Sequence, residues 1–97
     1  MKSTGIKDIV FDEIRILAER YGVEKVILFG SRARGDYLRN SDIDLAVSGG
    51  DITSFALDVE EETSTLLFYD VVDIGKKIDG ELMRNIEKEG IVIYEKV

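Results

Sequence analysis

The N-terminal part of the chain carries an apolar repeat with helical spacing. Charged residues fill most positions between the apolar ones, so the pattern predicts an amphipathic helix of about four turns with one face in a core. Gly22 follows the last apolar position and predicts the C-terminal end of this helix. The predicted core face consists of Ile6, Ile9, Val10, Ile14, Leu17 and Tyr21.

Short apolar runs farther along the chain predict strands. Two of them, Lys25–Phe29 and Asp42–Val47, enclose a polar segment that is rich in arginine and glycine. A longer run, Leu66–Ile74, combines apolar, aromatic and β-branched residues and predicts a central strand. Ile91–Tyr94 predicts a last short strand.

Helical patterns separate these strands. Ile52–Val59 places its apolar residues on one face, and Asp51 is suited to cap that helix at its N-terminus. Leu82–Ile86 predicts a last helix, closed by Gly90. The alternation predicts a mixed α/β (α+β) fold in a single domain, residues 1–97. We expect a three- to four-stranded mixed sheet with helices packed against it.

Composition narrows the classes of function. The chain has 13 basic and 20 acidic side chains and a net charge of −7. We therefore expect no direct nucleic-acid binding, which depends on neutralising phosphates. The absence of cysteine and histidine excludes disulfides, the usual zinc sites and a Ser-His-Asp triad. Neither a signal peptide nor an apolar run of membrane length occurs, so we expect a cytoplasmic protein with no membrane partner.

Two small motifs in the polar segment carry the chemistry. Gly30 lacks a Cβ, which lets backbone and ligand approach closely, and Ser31 adds a hydroxyl and an N–H. Asp42 and Asp44 lie two apart on a predicted strand, so both carboxylates point to one face. Such oxygen ligands suit Mg²⁺ or Mn²⁺. Each motif alone is ordinary for a turn or an edge strand; together they are what metal-assisted phosphoryl or nucleotidyl transfer requires.

The spacing of these motifs resembles a known signature. Gly30-Ser31, ten intervening residues, then Asp42-Ile43-Asp44 is similar to the motif of the DNA polymerase β-like nucleotidyltransferase superfamily. At 97 residues the chain resembles its minimal nucleotidyltransferases, the MNT family. The resemblance implies an antitoxin that is encoded beside a HEPN-domain toxin. It also implies that the chain transfers AMP from ATP to a tyrosine hydroxyl of that toxin.

The resemblance assigns phosphate binding to the first motif. Gly30 and Ser31 would bind the β- and γ-phosphates of ATP. Arg32 and Arg34 give this segment a local positive charge, and their planar guanidinium groups suit triphosphate oxygens or a partner's carboxylates. A nucleic-acid patch and plain solvated arginines are the alternative interpretations of these residues.

The resemblance also assigns the metal ligands. Asp42 and Asp44 would hold two Mg²⁺ ions, with Mn²⁺ as an alternative, and a third carboxylate would complete the second ion's shell and accept a proton. Both Asp70 and Asp73 lie in the predicted central strand, but residues three apart point to opposite faces. The family usually places this carboxylate early in such a run, which favours Asp70 and leaves Asp73 as the alternative. Asp73 would then pair with a lysine such as Lys76 or meet water.

Two other functions remain open at this stage. The chain could be a binding module that neutralises its toxin by masking it, with a vestigial nucleotide site. It could also modify a small molecule, as the aminoglycoside nucleotidyltransferases do, but these enzymes use an extra domain to bind the acceptor. Because 97 residues leave little room for such a domain, we expect a partner, or a second subunit of a homo-oligomer, to supply part of the pocket.

Overall fold

The structure is a computed structural model that describes residues 3–97. This part of the chain forms helices α1 (Asp8–Arg20), α2 (Gly30–Arg34), α3 (Ile52–Glu62) and α4 (Gly80–Glu89). The strands are β1 (Lys25–Phe29), β2 (Ile43–Ser48), β3 (Tyr69–Asp73) and β4 (Ile91–Glu95). The predicted mixed α/β fold with a four-stranded sheet is confirmed.

The sheet has the strand order β3-β2-β1-β4. Strand β1 pairs antiparallel with both β2 and β4, whereas β2 and β3 run parallel. As a result, the C-terminal end of β1 and the N-terminal ends of β2 and β3 meet at one side of the sheet. The polar segment that follows Phe29 therefore starts beside the first residues of β2.

Each face of the sheet is covered by helices. Helices α1 and α3 bury the larger core on one face, through residues such as Ile14 and Phe55, against Leu45 of β2. Helix α4 covers the other face, where Ile86 packs with Phe29 and Ala46. Successive side chains of a strand point to opposite faces, so Asp44 shares the α4 face with Ala46.

Two predictions about burial are wrong. The run that predicted a central strand gives the edge strand β3, which is only five residues long. Before that strand begins, Leu66 is fully exposed and Phe68 is 71% exposed. Ile9 was predicted for the core but is 55% exposed, because the buried stripe of α1 passes through Val10 and Ile14 instead.

Three predicted helix ends agree with the structure, although α3 and α4 extend beyond the apolar patterns that predicted them. Asp51 caps α3 and accepts a hydrogen bond from the Ser54 N–H at 3.1 Å. Gly22 follows α1 with φ of +67°, a left-handed conformation suited to glycine, and Gly90 ends α4. None of the helices in residues 3–97 is long and apolar enough to cross a membrane.

Candidate functional site

Strand pairing brings two carboxylates side by side at the end of the sheet. Asp44 in β2 is the direct register partner of Asp70 in β3, and paired residues of neighbouring strands are about 4.8 Å apart and point to the same face. Asp42 lies just before β2, two residues from Asp44, and is exposed. Asp42, Asp44 and Asp70 were predicted from the sequence as one set; the structure places Asp70 beside Asp44, and Asp42 follows in the chain only two residues from Asp44.

The pKa of Asp44 is raised by its surroundings. Its partial burial, followed by the negative charges of Asp70 and then Asp42, raises its pKa from 3.8 to about 6. The charge of Arg34 opposes this shift, and Glu89 adds to it. A partly buried carboxylate that two exposed carboxylates repel favours a bound cation.

The turn after β1 supplies a close backbone approach. Gly30 has φ of +75°, and a Cβ built on it would overlap Asp44 Oδ2. Only glycine combines this left-handed conformation with the missing side chain. Phe29 is the register partner of Asp44, so the Gly30 turn lies directly beside the carboxylates.

Ser31 follows Gly30 in the short helix α2. Its backbone carbonyl accepts the N–H groups of Gly35 and Asp36 at 2.8 and 3.1 Å. Within residues 3–97, no hydrogen bond engages the Ser31 hydroxyl. The hydroxyl therefore has no hydrogen-bond partner in this part of the chain, and its role in binding phosphate stays a prediction.

Arg34 is held at the same turn by two carboxylates. It pairs with Asp36 at 3.2 Å and with Glu89 at 3.0 Å, and its side chain is 46% exposed. The hydrogen bonds to Glu89 and Asp36 raise the pKa of Arg34 above its usual value. Arg34 was predicted to bind nucleotide and lies within reach of the site, since its charge acts on Asp44.

Sequence reasoning missed Glu89. This residue ends α4, yet its carboxylate accepts the Gly30 N–H at 3.1 Å and two hydrogen bonds from Arg34 Nη1. One sequence signal could have drawn attention to it, because an acidic residue at the C-terminus of a helix opposes the helix dipole. Such a residue is expected to have a compensating partner elsewhere in the fold.

Arg32 does not occupy the position that the sequence predicted. Its side chain is 1% exposed and lies within the protein instead of facing a nucleotide. The guanidinium donates to the carbonyl groups of Thr4, Ser41 and Arg39 at 2.9, 3.0 and 3.2 Å and stacks on the Tyr37 ring, 4.7 Å from its centre. Arg32 thus holds the loop that leads to Asp42, and it positions the site without touching a ligand.

Asp73 lies away from the other carboxylates. Its register partner is Val47 of β2. Asp73 is three residues from Asp70 in β3, which corresponds to about 10 Å at the usual rise of a strand. The Asp73 carboxylate accepts the Gly75 N–H at 2.9 Å. No ion pair joins it to Lys76 in the described part of the chain, so of the two predicted alternatives the lysine pair is not formed.

The carboxylates do not form a ready-made metal cage. No three acidic residues among residues 3–97 converge closely enough to hold a metal ion by themselves. The donor set nevertheless fits a hard divalent cation, since Asp44 and Asp70 are adjacent and the pKa of Asp44 is raised by its neighbours. A cation would draw these mutually repelling groups together.

Two grooves of the described chain lie away from these carboxylates. One, with a volume of about 780 Å³, runs between the start of α1 and β4 and is lined by Thr4, Phe11 and Ile93 among others. It includes none of the three carboxylates. The carboxylates lie at the end of the sheet, where Asp42 and Asp70 are exposed and Asp44 is partly buried.

Comparisons with known proteins point to one family. The family model described as "Polymerase beta, Nucleotidyltransferase" matches residues 12–97. A protein of Methanocaldococcus jannaschii named "Putative protein adenylyltransferase" is 40% identical over 81 residues, which are 74% of this chain and 79% of that protein.

Solved structures share the fold. The chain is similar to one in a crystal structure of a toxin–antitoxin with AMP-PNP, with a TM-score of 0.72 and 24% identity, over 89% of this chain and 73% of that chain. It is also similar to a structure named "putative nucleotidyltransferase" from Sulfolobus solfataricus, with a TM-score of 0.56 and 28% identity. That match covers 96% of this chain and 85% of the Sulfolobus chain.

Proposed function

Because this chain belongs to the polymerase β nucleotidyltransferase family, we propose that it transfers AMP from ATP to a hydroxyl group of a partner protein. The observation that carries this proposal is the parallel pairing of Asp44 with Asp70 beside the Gly30 turn. It puts a repelling carboxylate pair and a close backbone approach at the same end of the sheet. Nucleotidyl transfer needs both of these features.

The phosphate groups of ATP would bind at the turn. The Gly30 N–H and the Ser31 hydroxyl would donate to β- and γ-phosphate oxygens, and the Arg34 guanidinium would neutralise part of their charge. The free Ser31 hydroxyl and the half-exposed Arg34 side chain support this assignment. Arg32 would act only through the loop that it holds.

The carboxylates would hold the metal. Asp42, Asp44 and Asp70 would bind Mg²⁺, which Mn²⁺ could replace, since the charges of Asp70 and Asp42 both act on Asp44. A bound divalent ion supplies charge neutralisation at the phosphates and a lowered pKa at the acceptor hydroxyl. Asp73 has no part in this set.

The transfer itself is an in-line displacement. The acceptor oxygen forms a bond to the α-phosphorus of ATP, the bond from that phosphorus to the bridging oxygen breaks, and pyrophosphate leaves. The proton of the acceptor hydroxyl passes to the exposed carboxylate of Asp70, and from there to water. Asp70 is suited to this role because it is exposed and lies beside Asp44.

The acceptor would be a toxin. We place the transferred AMP on a tyrosine hydroxyl of a HEPN-domain toxin encoded beside this chain, which would silence the toxin. The names of the similar proteins, a protein adenylyltransferase and a toxin–antitoxin, support this acceptor, as does the exposure of Asp42 and Asp70. The net charge of −7 would favour a partner with a complementary basic surface.

Nucleotide binding tests the site directly. Calorimetry with ATP and Mg²⁺ should detect binding to the wild-type protein and at least a tenfold weaker affinity, about 1.4 kcal/mol, in Asp42→Asn with Asp44→Asn. The double variant Asp8→Asn with Asp12→Asn removes the same charge from exposed positions on α1 and should bind as the wild type does. Equal binding by all three proteins would refute the assignment.

A further inference from the structure

Glu89 holds the two donors that the proposed function gives to the phosphate groups. Its carboxylate accepts the Gly30 N–H at 3.1 Å and the Arg34 Nη1 at 3.1 and 3.0 Å. The Glu89 side chain is only 18% exposed. A carboxylate is the internal group closest in charge and hydrogen bonding to a phosphate oxygen pair.

We infer that Glu89 is an internal competitor for the triphosphate, and that ATP binds at the Gly30 turn only by displacing it. This inference rests on the proposed function, since it concerns the same site. The Gly30 N–H has one hydrogen to donate, so Glu89 and a phosphate oxygen cannot both accept it in a linear bond. The Nη1 atom of Arg34 donates to both carboxylate oxygens of Glu89, so a phosphate oxygen would have to displace Glu89 at this atom as well.

The position of Glu89 allows its side chain to move away from Gly30 and Arg34. It is the last residue of α4, where helix ends fray most readily, and its contacts with the turn are made by a long, flexible side chain. Arg34 would remain oriented after the exchange, because Asp36 holds its Nε atom at 3.2 and 3.3 Å independently of Glu89.

The charges of the site disfavour the simultaneous presence of Glu89 and a triphosphate at the turn. Glu89 adds a negative charge to a group that already contains Asp44 and its neighbours Asp70 and Asp42. When the nucleotide arrives, departure of Glu89 removes one of these charges from the turn. Glu89 therefore keeps Arg34 and Gly30 in place in the free protein. An anion that binds the turn more weakly than Glu89 does would not displace it.

The inference predicts two effects of opposite sign. Glu89→Gln keeps the shape of the side chain but removes its charge, so it weakens the contacts with Arg34 and should lower the melting temperature. The same variant should bind inorganic tripolyphosphate with Mg²⁺ roughly three- to tenfold more tightly than the wild type, since the competitor is weaker. A residue with only a structural role would lower both stability and affinity.

The matched control is Glu87→Gln. Glu87 lies in the same last turn of α4 and is exposed, so this variant changes the net charge equally without touching Gly30 or Arg34. It should leave tripolyphosphate affinity within twofold of the wild-type value. A gain in Glu87→Gln equal to that in Glu89→Gln would mean that general charge repulsion is responsible, and would overturn the inference.

The outcomes separate this inference from the proposed function. If the wild type binds ATP and tripolyphosphate while Glu89→Gln binds them equally well or less well, Glu89 is a structural clasp and the nucleotide site stands. If neither protein binds either anion with Mg²⁺, both the inference and the proposed function fail. Should Glu89→Gln not fold, Glu89→Asp, shorter by one methylene, must show the gain in affinity, and its absence refutes the competition.

Discussion

The backbone of Gly30 lies so close to the carboxylate of Asp44 that a Cβ on Gly30 would overlap Asp44 Oδ2. The turn that would bind phosphate and the strand that would bind metal are thus in direct contact. A change at one of these residues is transmitted to the other without an intermediate group. The site therefore depends on a glycine for its geometry as much as on its carboxylates for its charge.

Gly30→Ala tests this contact. The substitution adds a left-handed backbone penalty of about 1–2 kcal/mol and also displaces the Asp44 carboxylate, so both stability and Mg²⁺–ATP affinity should fall. Gly22→Ala is the matched control, because Gly22 also has positive φ, +67°, but has open space around its Cβ position. It should lose stability only. Thermal unfolding and calorimetry on both variants would distinguish them, and unimpaired ATP binding by Gly30→Ala would contradict the close contact.

Substitution of Arg32 should mainly lower stability, whereas substitution of Arg34 should mainly weaken ATP binding. Arg32→Ala removes a buried side chain that donates to the carbonyl groups of Thr4, Arg39 and Ser41, and should cost at least about 3 kcal/mol of unfolding free energy. Arg34→Ala removes exposed ion pairs, which are worth about 0–1 kcal/mol, and should instead weaken ATP binding. Urea unfolding gives the first quantity and calorimetry the second. Equal stability losses in the two variants would show that Arg32 is not the residue that holds the loop.

Stability should depend on pH through Asp44. Its pKa is raised from 3.8 to about 6, so between these values the folded protein binds more protons than the unfolded chain. The contribution of Asp44 to stability is therefore full below about pH 4 and is lost as pH rises through about pH 6. In metal-free buffer, the melting temperature of the wild type relative to Asp44→Asn should fall across this range. A constant difference between the two proteins would contradict the raised pKa.

Asp70 and Asp73 should separate catalysis from folding. Asp70→Asn removes the carboxylate beside Asp44 and should reduce AMP transfer by orders of magnitude, with little loss of stability. Asp73→Asn weakens the hydrogen bond to the Gly75 N–H and should affect stability more than transfer. Single-turnover assays on the folded variants measure the first effect. The reverse pattern would mean that Asp73, and not Asp70, completes the site.

Local patterns predict most of the fold. The alternation of apolar runs predicts the strands to within a few residues, and Asp51 and Gly90 predict helix ends correctly, because these features depend on neighbouring residues. The exposure of Leu66 and Phe68 could not be predicted in the same way. An apolar run shows that a strand is favoured, but the strand order decides whether it lies in the centre or at the edge.

In the candidate site, too, local spacing predicts some features and tertiary structure decides the others. The pairing of Asp42 with Asp44 follows from their spacing, whereas the position of Asp70 beside Asp44 depends on the parallel register of two strands. The burial of Arg32 depends on carbonyl groups that tertiary structure gathers around it. Glu89 reaches Gly30 from 59 residues away, so no local spacing could have linked them.

The central claim is tested most directly by transfer of AMP to the toxin. The protein is incubated with α-labelled ATP, Mg²⁺ and the product of the adjacent gene, and the modified residue is located by mass spectrometry. The account predicts one AMP on a tyrosine hydroxyl of that partner with the wild type, and none with Asp42→Asn and Asp44→Asn combined. Absence of transfer, together with full neutralisation of the toxin by the double variant, would contradict the account and identify the chain as a masking module.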